Sequence, residues 1–330
     1  MSEFKKITSG EYKDFLEKSF FSTFFHNPEW HEFLQKEFKW LKFEYYKYKD
    51  EAILPLARFK VFEKEKLVSL PFCEYGGPII LKSGINFNEF AANAFSEFGK
   101  NIKIKFHPEI MKHFNISNIS NTANISTSWL ENLKNVSEKE LLDSFRKTLR
   151  NEIRYAQDKK TEISQCCDIR ELKQFYSLYS ANLKRKRTVP YPFKIFEFLY
   201  GRQETEILLA KSNNKIIGGN LFLNYGKFTH YFFSATDYKY KDSGVSYLLL
   251  WSKIKNLIGQ DKILDLGATP KGSSLDTFKR GWGGKDYPIL QIGTKRSEEN
   301  LRFSKLRNLY GLLPNFVIKG LSKKLIKYRL

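Results

Sequence analysis

From Thr205 to Gly293 the order of elements constrains the fold more than any other stretch of the chain. Three β-branched and aromatic runs, TEILLAK, KIIGGNLFLNY and KFTHYFFSAT, are separated by Asn213-Asn214 and by Tyr225-Gly226. Asn and Gly enter the left-handed backbone region at little steric cost, so these breaks predict tight hairpins and an antiparallel meander. A helical pattern follows from about Gly244 to Ile258. After it come a short strand KILDL, a glycine-rich turn, a short helix ending in FKRGWGG, and a strand PILQIG. Meander, helix, strand, helix, strand is a mixed α+β order shared by several folds.

The upstream half has a similar α/β rhythm. Asn27-Pro28-Glu29 sets proline at the first turn of a helix that carries Trp30, Phe33, Leu34 and Phe38 on one face. LKFEYYKY and AILPLARFKVF alternate as half-buried strands do, and LVSLPF leads into the turn Tyr75-Gly76-Gly77-Pro78. A helix is expected around Phe87 to Phe98, then a strand, IKIKF, then a polar loop, NISNISNTANIS. One charged helix from about Ser137 to Lys160 joins the halves. ELKQFYSLYSANL and FKIFEFLY read as helices on either side of a basic loop, KRKRTVPYP. At ~150 residues per domain, 330 residues predict two domains, placed at 1–135 and 136–300, with a basic helical tail at 301–330.

Composition narrows the setting. Hydrophobic residues make up 42% of the chain, enough for two cores. No apolar run reaches the ~18 residues of a membrane span, and MSEFKKITSGEYKDF has no apolar stretch after its charges, so a cytoplasmic protein is expected. Cys73, Cys166 and Cys167 are odd in number and lack metal spacing. They are expected as buried small hydrophobes in a reducing compartment. His26, His31, His107, His113 and His230 show no metal-ligand spacing, so no metal is expected. The net charge of +20 suits a polyanionic partner: nucleic acid, a phosphorylated substrate or an anionic membrane surface.

Several motifs between about 140 and 290 resemble the Fem family of aminoacyltransferases and its acetyltransferase-like (GNAT-like) relatives. LRNEIRYAQDKKTEI resembles the family's R-x-x-I-R-x-A helix followed by a strand. SLYSANLKRKRTVPYPFKIFEFLY is similar to its aromatic helix ahead of an Arg and Pro loop. SATDYKYKDSGVSYLLLWSKI looks like its entry into the main helix. KILDLGATPKGSSLDTFKRGWGG resembles its most specific signature, a strand ending in D-x-G followed by F-K-x-x-W/F-G. FHNPEWHEFL and LPFCEYGGP fit the companion half-domain. The resemblance implies an α/β (α+β) fold of tandem GNAT-like domains, of the armless FemX size, since no heptad run marks a coiled-coil arm. It also implies addition of amino acids to peptidoglycan precursors, with aminoacyl-tRNA as donor and no tightly bound cofactor. At the junction Lys239 to Ser246, where acetyl-CoA enzymes carry a Gly-rich phosphate loop, there is one glycine, Gly244, although Ser243 and Ser246 can donate hydrogen bonds. That departure favours aminoacyl-tRNA over acyl-CoA.

Acyl transfer to an amine asks a protein to hold two reactants, which supplies ~7–11 kcal/mol, and to meet an oxyanion, worth ~3–4 kcal/mol per donor. The amine, with a pKa of ~10.4, must also lose a proton. Lys279 in the F-K-x-x-W-G motif is the first catalytic candidate, exposed toward a cleft and meeting the oxyanion or a substrate phosphate. Its alternative is a solvated lysine on a short helix. Asp265, at the end of KILDL, acts as base or orients Lys279, or else caps the turn before Gly267. Arg150 and Arg154, four apart on one helix, with Arg185, Lys186 and Arg187, can clamp a diphosphate or can form a solvated basic face. Tyr191, Tyr231 and Tyr247 line a cleft or belong to the core. From about Pro314 the tail reads as an amphipathic helix with Phe316, Val317, Leu321, Leu325 and Ile326 on one stripe. It either rests on an anionic inner leaflet or packs on the protein itself.

Three functions remain open on the sequence. The first is transfer of an aminoacyl group from aminoacyl-tRNA to a UDP- or lipid-linked cell-envelope precursor. The second is an acyl-CoA-dependent N-acyltransferase acting on an amino sugar. The third is a non-catalytic basic protein that binds RNA or lipid.

Overall fold

The computed structural model describes residues 2–82, 84–99, 101–113, 122–159, 161–293 and 315–329. They form two compact units, one of 2–126 with 287–293, the other of 127–286 with 315–329. The chain passes between the units at Ser126, inside a strand, rather than at 135. Its last strand returns to the first unit, and the tail joins the second instead of standing apart.

The first unit runs β1 (Phe4–Ile7), α1 (Ser9–Glu17), α2 (Pro28–Glu37), β2 (Lys42–Tyr48), β3 (Ala52–Val61), β4 (Lys64–Val68), β5 (Ile79–Ile80), α3 (Phe87–Phe98), β6 (Ile102–Lys105) and α4 (Pro108–His113). Its helix starts are written locally: the Thr8 and Glu11 side chains form a capping box on α1, and the Asn27 side chain caps α2 ahead of Pro28. Phe4, Tyr48, Phe90, Ile104 and Phe106 share its core.

The second unit holds the end of β7 (Thr122–Leu130), then α5 (Glu138–Ser144), α6 (Lys147–Asp158), β8 (Glu162–Gln165), α7 (Ile169–Arg185), α8 (Phe193–Tyr200), β9 (Thr205–Ser212), β10 (Lys215–Tyr225), β11 (Phe228–Thr236), α9 (Val245–Leu257), β12 (Ile263–Pro270) and α10 (Ser274–Arg280). β13 (Lys285–Gly293) then pairs with β6. The tail helix is α11 (Asn315–Leu325). Strand order is β1-β2-β3-β4-β6-β13 in the first unit, with β5 beside β3, and β7-β12-β11-β10-β9-β8 in the second. The meander is antiparallel as expected, its first turn carrying Asn213 and Asn214 at φ 49° and 60°. β12 joins β11 in parallel.

Four expectations change. The single charged helix is two, α5 and α6. They break at Phe145, which turns extended so that its ring packs 5.5 Å from Trp282 and 5.8 Å from Trp251 in the core. KILDL continues as strand to Pro270, absorbing the supposed turn. Thr122–Ser126, expected as loop, belongs to β7, while the start of that repeat, 115–121, lies outside the described residues. Cys73 and Cys166 are only half-buried and Cys167 is exposed, because each lies beside loop backbone rather than in a core cluster.

The tail packs on α7 through a face that shares Ile326 with the expected stripe but not Leu321. Ile318, Ser322 and Ile326, spaced four apart, are buried, and Leu321 is exposed. Pro314 and the side chains of Phe316 and Lys319 lie outside the described residues. Beyond the helix, Arg329 donates to the Val189 carbonyl at 3.0 Å and covers the Tyr191 ring at 4.5 Å. Among the described residues no helix is long and apolar enough to cross a membrane. Removing residues 315–330 uncovers two buried isoleucines' contacts and is expected to lower the melting temperature by about 5 °C. An unchanged melting temperature would show that the helix does not stabilise the unit.

His26 and His31 are fully buried in the first unit and satisfied as neutral rings. His26 faces Thr23 and the Gly77 carbonyl, and His31 faces Tyr45 and the Phe25 carbonyl. Burial lowers His26 to about 4 and His31 to about 3. The unfolded chain binds these protons near the ordinary value of about 6.5. Their contribution is therefore complete above that pH and drains away as pH falls toward the folded values. In NMR titrations both imidazoles should stay neutral at pH 5 while the urea midpoint falls between pH 7 and 4.5. An imidazole of either residue titrating near 6.5 would contradict this.

Candidate active site

The parallel ladder between β11 and β12 covers only Phe228 to His230 against Ile263 to Asp265. Past that last pair both strands run on, to Thr236 and Pro270, without laddering to each other. Two parallel strands that part in mid-sheet leave backbone N–H and C=O groups facing the gap, ready for a ligand.

Asp265 sits at the point of parting and is 0% exposed. Its Oδ1 accepts from the Thr127 hydroxyl on β7 and from the Gly267 N–H at 2.9 Å, and its Oδ2 lies 3.1 Å from His230 Nδ1 on β11. The Gly267 contact has the form of the cap open to an Asp two residues ahead of a glycine, but within a continuous strand rather than at a turn. Gly267 has φ 78°, a conformation that β-carbon sterics disfavour, and it lies two residues past the last laddered pair.

Lys279 takes the other side of the same peptide. Its Nζ donates to the Gly267 carbonyl at 2.8 Å and approaches the Ala268 carbonyl at 3.5 Å. The residue is 5% exposed, which corrects the expectation of a lysine exposed toward a cleft. The length of α10 explains it: the helix delivers the long side chain back under β12, and Trp282, a turn later, is fully buried against Phe145. The D-x-G and F-K-x-x-W-G halves of the signature thus meet at Gly267.

The tyrosines divide. Tyr231 is buried, its hydroxyl 3.4 Å from Asn220 Oδ1, and burial pushes its phenol up to about 12. Tyr247 is half-buried beside Phe278 and Trp282, and burial raises it too. At the start of α9 the hydroxyls are already engaged: Ser243 Oγ donates to the Tyr240 carbonyl at 2.6 Å, and Ser246 Oγ lies 2.9 Å from Thr236 Oγ1. Gly244 has φ 73°, and a β-carbon there would lie 2.8 Å from both the Glu152 carbonyl and the Ala156 side chain, so α6 packs on the helix start.

The arginines lie on two elements. Arg150 on α6 donates to the Asp143 carbonyl at 2.8 Å, closing the end of α5, and Arg154 is exposed one turn on. Arg185 in the last turn of α7 donates to Asn182 Oδ1 and covers the Tyr238 ring at 4.3 Å; Arg187, at φ 50°, is exposed beyond it. Arg150 and Arg185 each finish their own helix end. Thr127 and His230 were not picked out from the sequence as partners of Asp265. Only the parallel register, which sets KFTHYF against KILDL, brings the histidine there.

Because Lys279 is buried and bonded to backbone, Lys279→Met leaves the Gly267 carbonyl without its donor. It is expected to destabilise the protein by about 1–3 kcal/mol in denaturant unfolding as well as to reduce activity. An unchanged unfolding midpoint would show that the bond contributes nothing.

Residues 143–280 match the acetyltransferase (GNAT) domain family. Among curated protein sequences no relative matches the chain. Solved structures do. FemX is 14% identical, with 92% of this chain and 99% of that chain covered and a TM-score of 0.60. L-PGS from Bacillus licheniformis is 14% identical, with 94% and 99% covered and a TM-score of 0.54. A conserved protein of unknown function from Bacteroides thetaiotaomicron VPI-5482 is 10% identical, with 88% and 98% covered and a TM-score of 0.54. The parted strands, the helix between them, Asp265 and His230 lie inside the matched residues, while Thr127 precedes them; the protein is an acyltransferase whose residues 143–280 match a GNAT domain and whose fold is similar to that of FemX.

Proposed function

We propose that the protein transfers an aminoacyl group from aminoacyl-tRNA to an amine of a UDP- or lipid-linked cell-envelope precursor, on the cytoplasmic side. The observation that carries this reading is the start of α9. Acyl-CoA enzymes of this fold type need free backbone N–H groups there for a diphosphate. Here α6 packs against Gly244, and the Ser243 and Ser246 hydroxyls already have partners. The likeness in fold to FemX and to L-PGS and the net charge of +20 support the same donor.

In this reading the acyl carbonyl enters the gap beyond His230 and Asp265, where unladdered backbone of β12 meets its oxygen. The acceptor nitrogen attacks the carbonyl carbon, the C–N bond forms, and the ester C–O bond breaks. The ribose hydroxyl leaves with the proton that the amine gives up. Asp265 and Lys279 act as positioning residues that fix the Gly267 peptide. Arg150, Arg154, Arg185 and Arg187 supply phosphate-binding charge on two faces, and Tyr231 and Tyr247 shape the gap. Ser243, Gly244 and Ser246 bound the donor side without a CoA cradle. α11, packed on α7, leaves Lys323 and Lys324 outward, a charge that suits peripheral contact with an anionic leaflet.

The test mixes purified protein, a UDP-muropeptide and either radiolabelled aminoacyl-tRNA or radiolabelled acetyl-CoA. Label is expected in the muropeptide from aminoacyl-tRNA. Transfer from acetyl-CoA alone would overturn the reading and favour the N-acyltransferase alternative, which the GNAT match also accommodates.

A further inference from the structure

Among the described residues of the second unit the most exposed large aromatic side chain is Tyr238, 53% exposed, in the single helical turn Tyr238–Tyr240 between β11 and α9. Two cations address its ring: the Arg185 guanidinium at 4.3 Å and the Lys241 ammonium at 4.9 Å from the centroid. The arginine is held. Its guanidinium donates to Asn182 Oδ1, and Asn182 Nδ2 donates at 3.1 Å to the carbonyl of Thr236, the last residue of β11. The lysine is loosely held: it is 52% exposed, and besides the ring it meets Asp242, itself 86% exposed, at 3.8 Å. Nothing in the core explains a tyrosine kept in water with a fixed guanidinium over it.

The same combination recurs on α6, where Tyr155 is 47% exposed under the Lys159 ammonium at 4.1 Å. Tyr155 precedes Ala156, the residue that touches the start of α9 at Gly244. Both ring-and-cation sets thus belong to elements that converge on the entry to α9, beside the parted strands. An exposed ring with cations around it is what a single-stranded nucleic acid needs, since a base stacks on the ring while its phosphate meets the cations. A duplex hides its base faces and offers phosphates only.

We infer that Tyr238, with Arg185 and Lys241, is a stacking platform for an unpaired RNA end: a base displaces the Lys241 ammonium from the ring, and Lys241 turns to the phosphate that arrives with it. This rests on the proposed tRNA donor for its biological setting, but it is read by binding alone. Fluorescence anisotropy of the full-length protein with a labelled single-stranded RNA hexamer, and with a duplex of the same sequence, tests it. Tyr238→Ala removes no charge, so plain polyanion attraction predicts no change. The platform predicts at least about fivefold weaker hexamer binding, with Tyr238→Phe within about twofold of wild type and duplex binding unmoved. Lys60→Ala, a lost charge in the first unit, should change hexamer binding less than twofold. All these side chains are exposed, and equal melting temperatures verify folding.

Hexamer binding by Tyr238→Ala equal to wild type, or a loss no greater than that of Lys60→Ala, overturns the inference even if aminoacyl-tRNA proves to be the donor. If acetyl-CoA proves to be the donor while hexamer binding still depends on the ring, the inference stands and the functional reading falls.

Discussion

A carboxylate with no exposure survives only if every strong acceptor site is used, because an uncompensated buried charge costs several kcal/mol. Asp265 meets that requirement with groups from three places: the Thr127 hydroxyl on β7, the His230 imidazole on β11 and the Gly267 N–H of its own strand. The requirement fixes the sheet. β7, β12 and β11 must keep their register here, and Gly267 must keep its positive φ. Lys279 then closes the same peptide from the carbonyl side. The gap between β11 and β12 begins at this cluster.

The cluster also changes how the signature residues act. A lysine and an aspartate in one short motif suggest acid–base chemistry, yet both are buried and both bond the Gly267 peptide. Together they hold the geometry of that peptide. The surface charge divides in a similar way. Arg150 and Arg329 complete helix and loop ends through backbone carbonyls, and Arg185 is braced over an exposed ring. Where a cation bonds a carbonyl, it stabilises the fold as well as carrying charge. Where it is aimed at an exposed aromatic, it remains available to a partner.

Much of this was legible in sequence because local rules acted alone. Asn213-Asn214 specified a hairpin, Asn27-Pro28 a helix start and Phe87 to Phe98 a helix, and the structure places each there. Readings changed where tertiary packing overrode local pattern. The Phe145 ring breaks a continuous charged helix because the core takes it between Trp251 and Trp282. α11 buries Ile318, Ser322 and Ile326 because α7 offers a surface to that face. The partners of Asp265 were illegible for a different reason. Thr127 and His230 lie 138 and 35 residues away in sequence, and only strand register joins them. Tyr238 sits in a lysine-rich stretch, and its exposure cannot be read from residue type.

The central claim is that acyl transfer takes place where β11 and β12 part, on a group delivered by tRNA. Aminoacyl-tRNA carrying a photoreactive aminoacyl side chain, irradiated on the full-length protein and mapped by peptide mass spectrometry, tests both halves at once. The account predicts crosslinks in the peptides that hold Tyr231 to Thr236 or Leu266 to Pro270. Crosslinks confined to the first unit, with none on either strand, would contradict it.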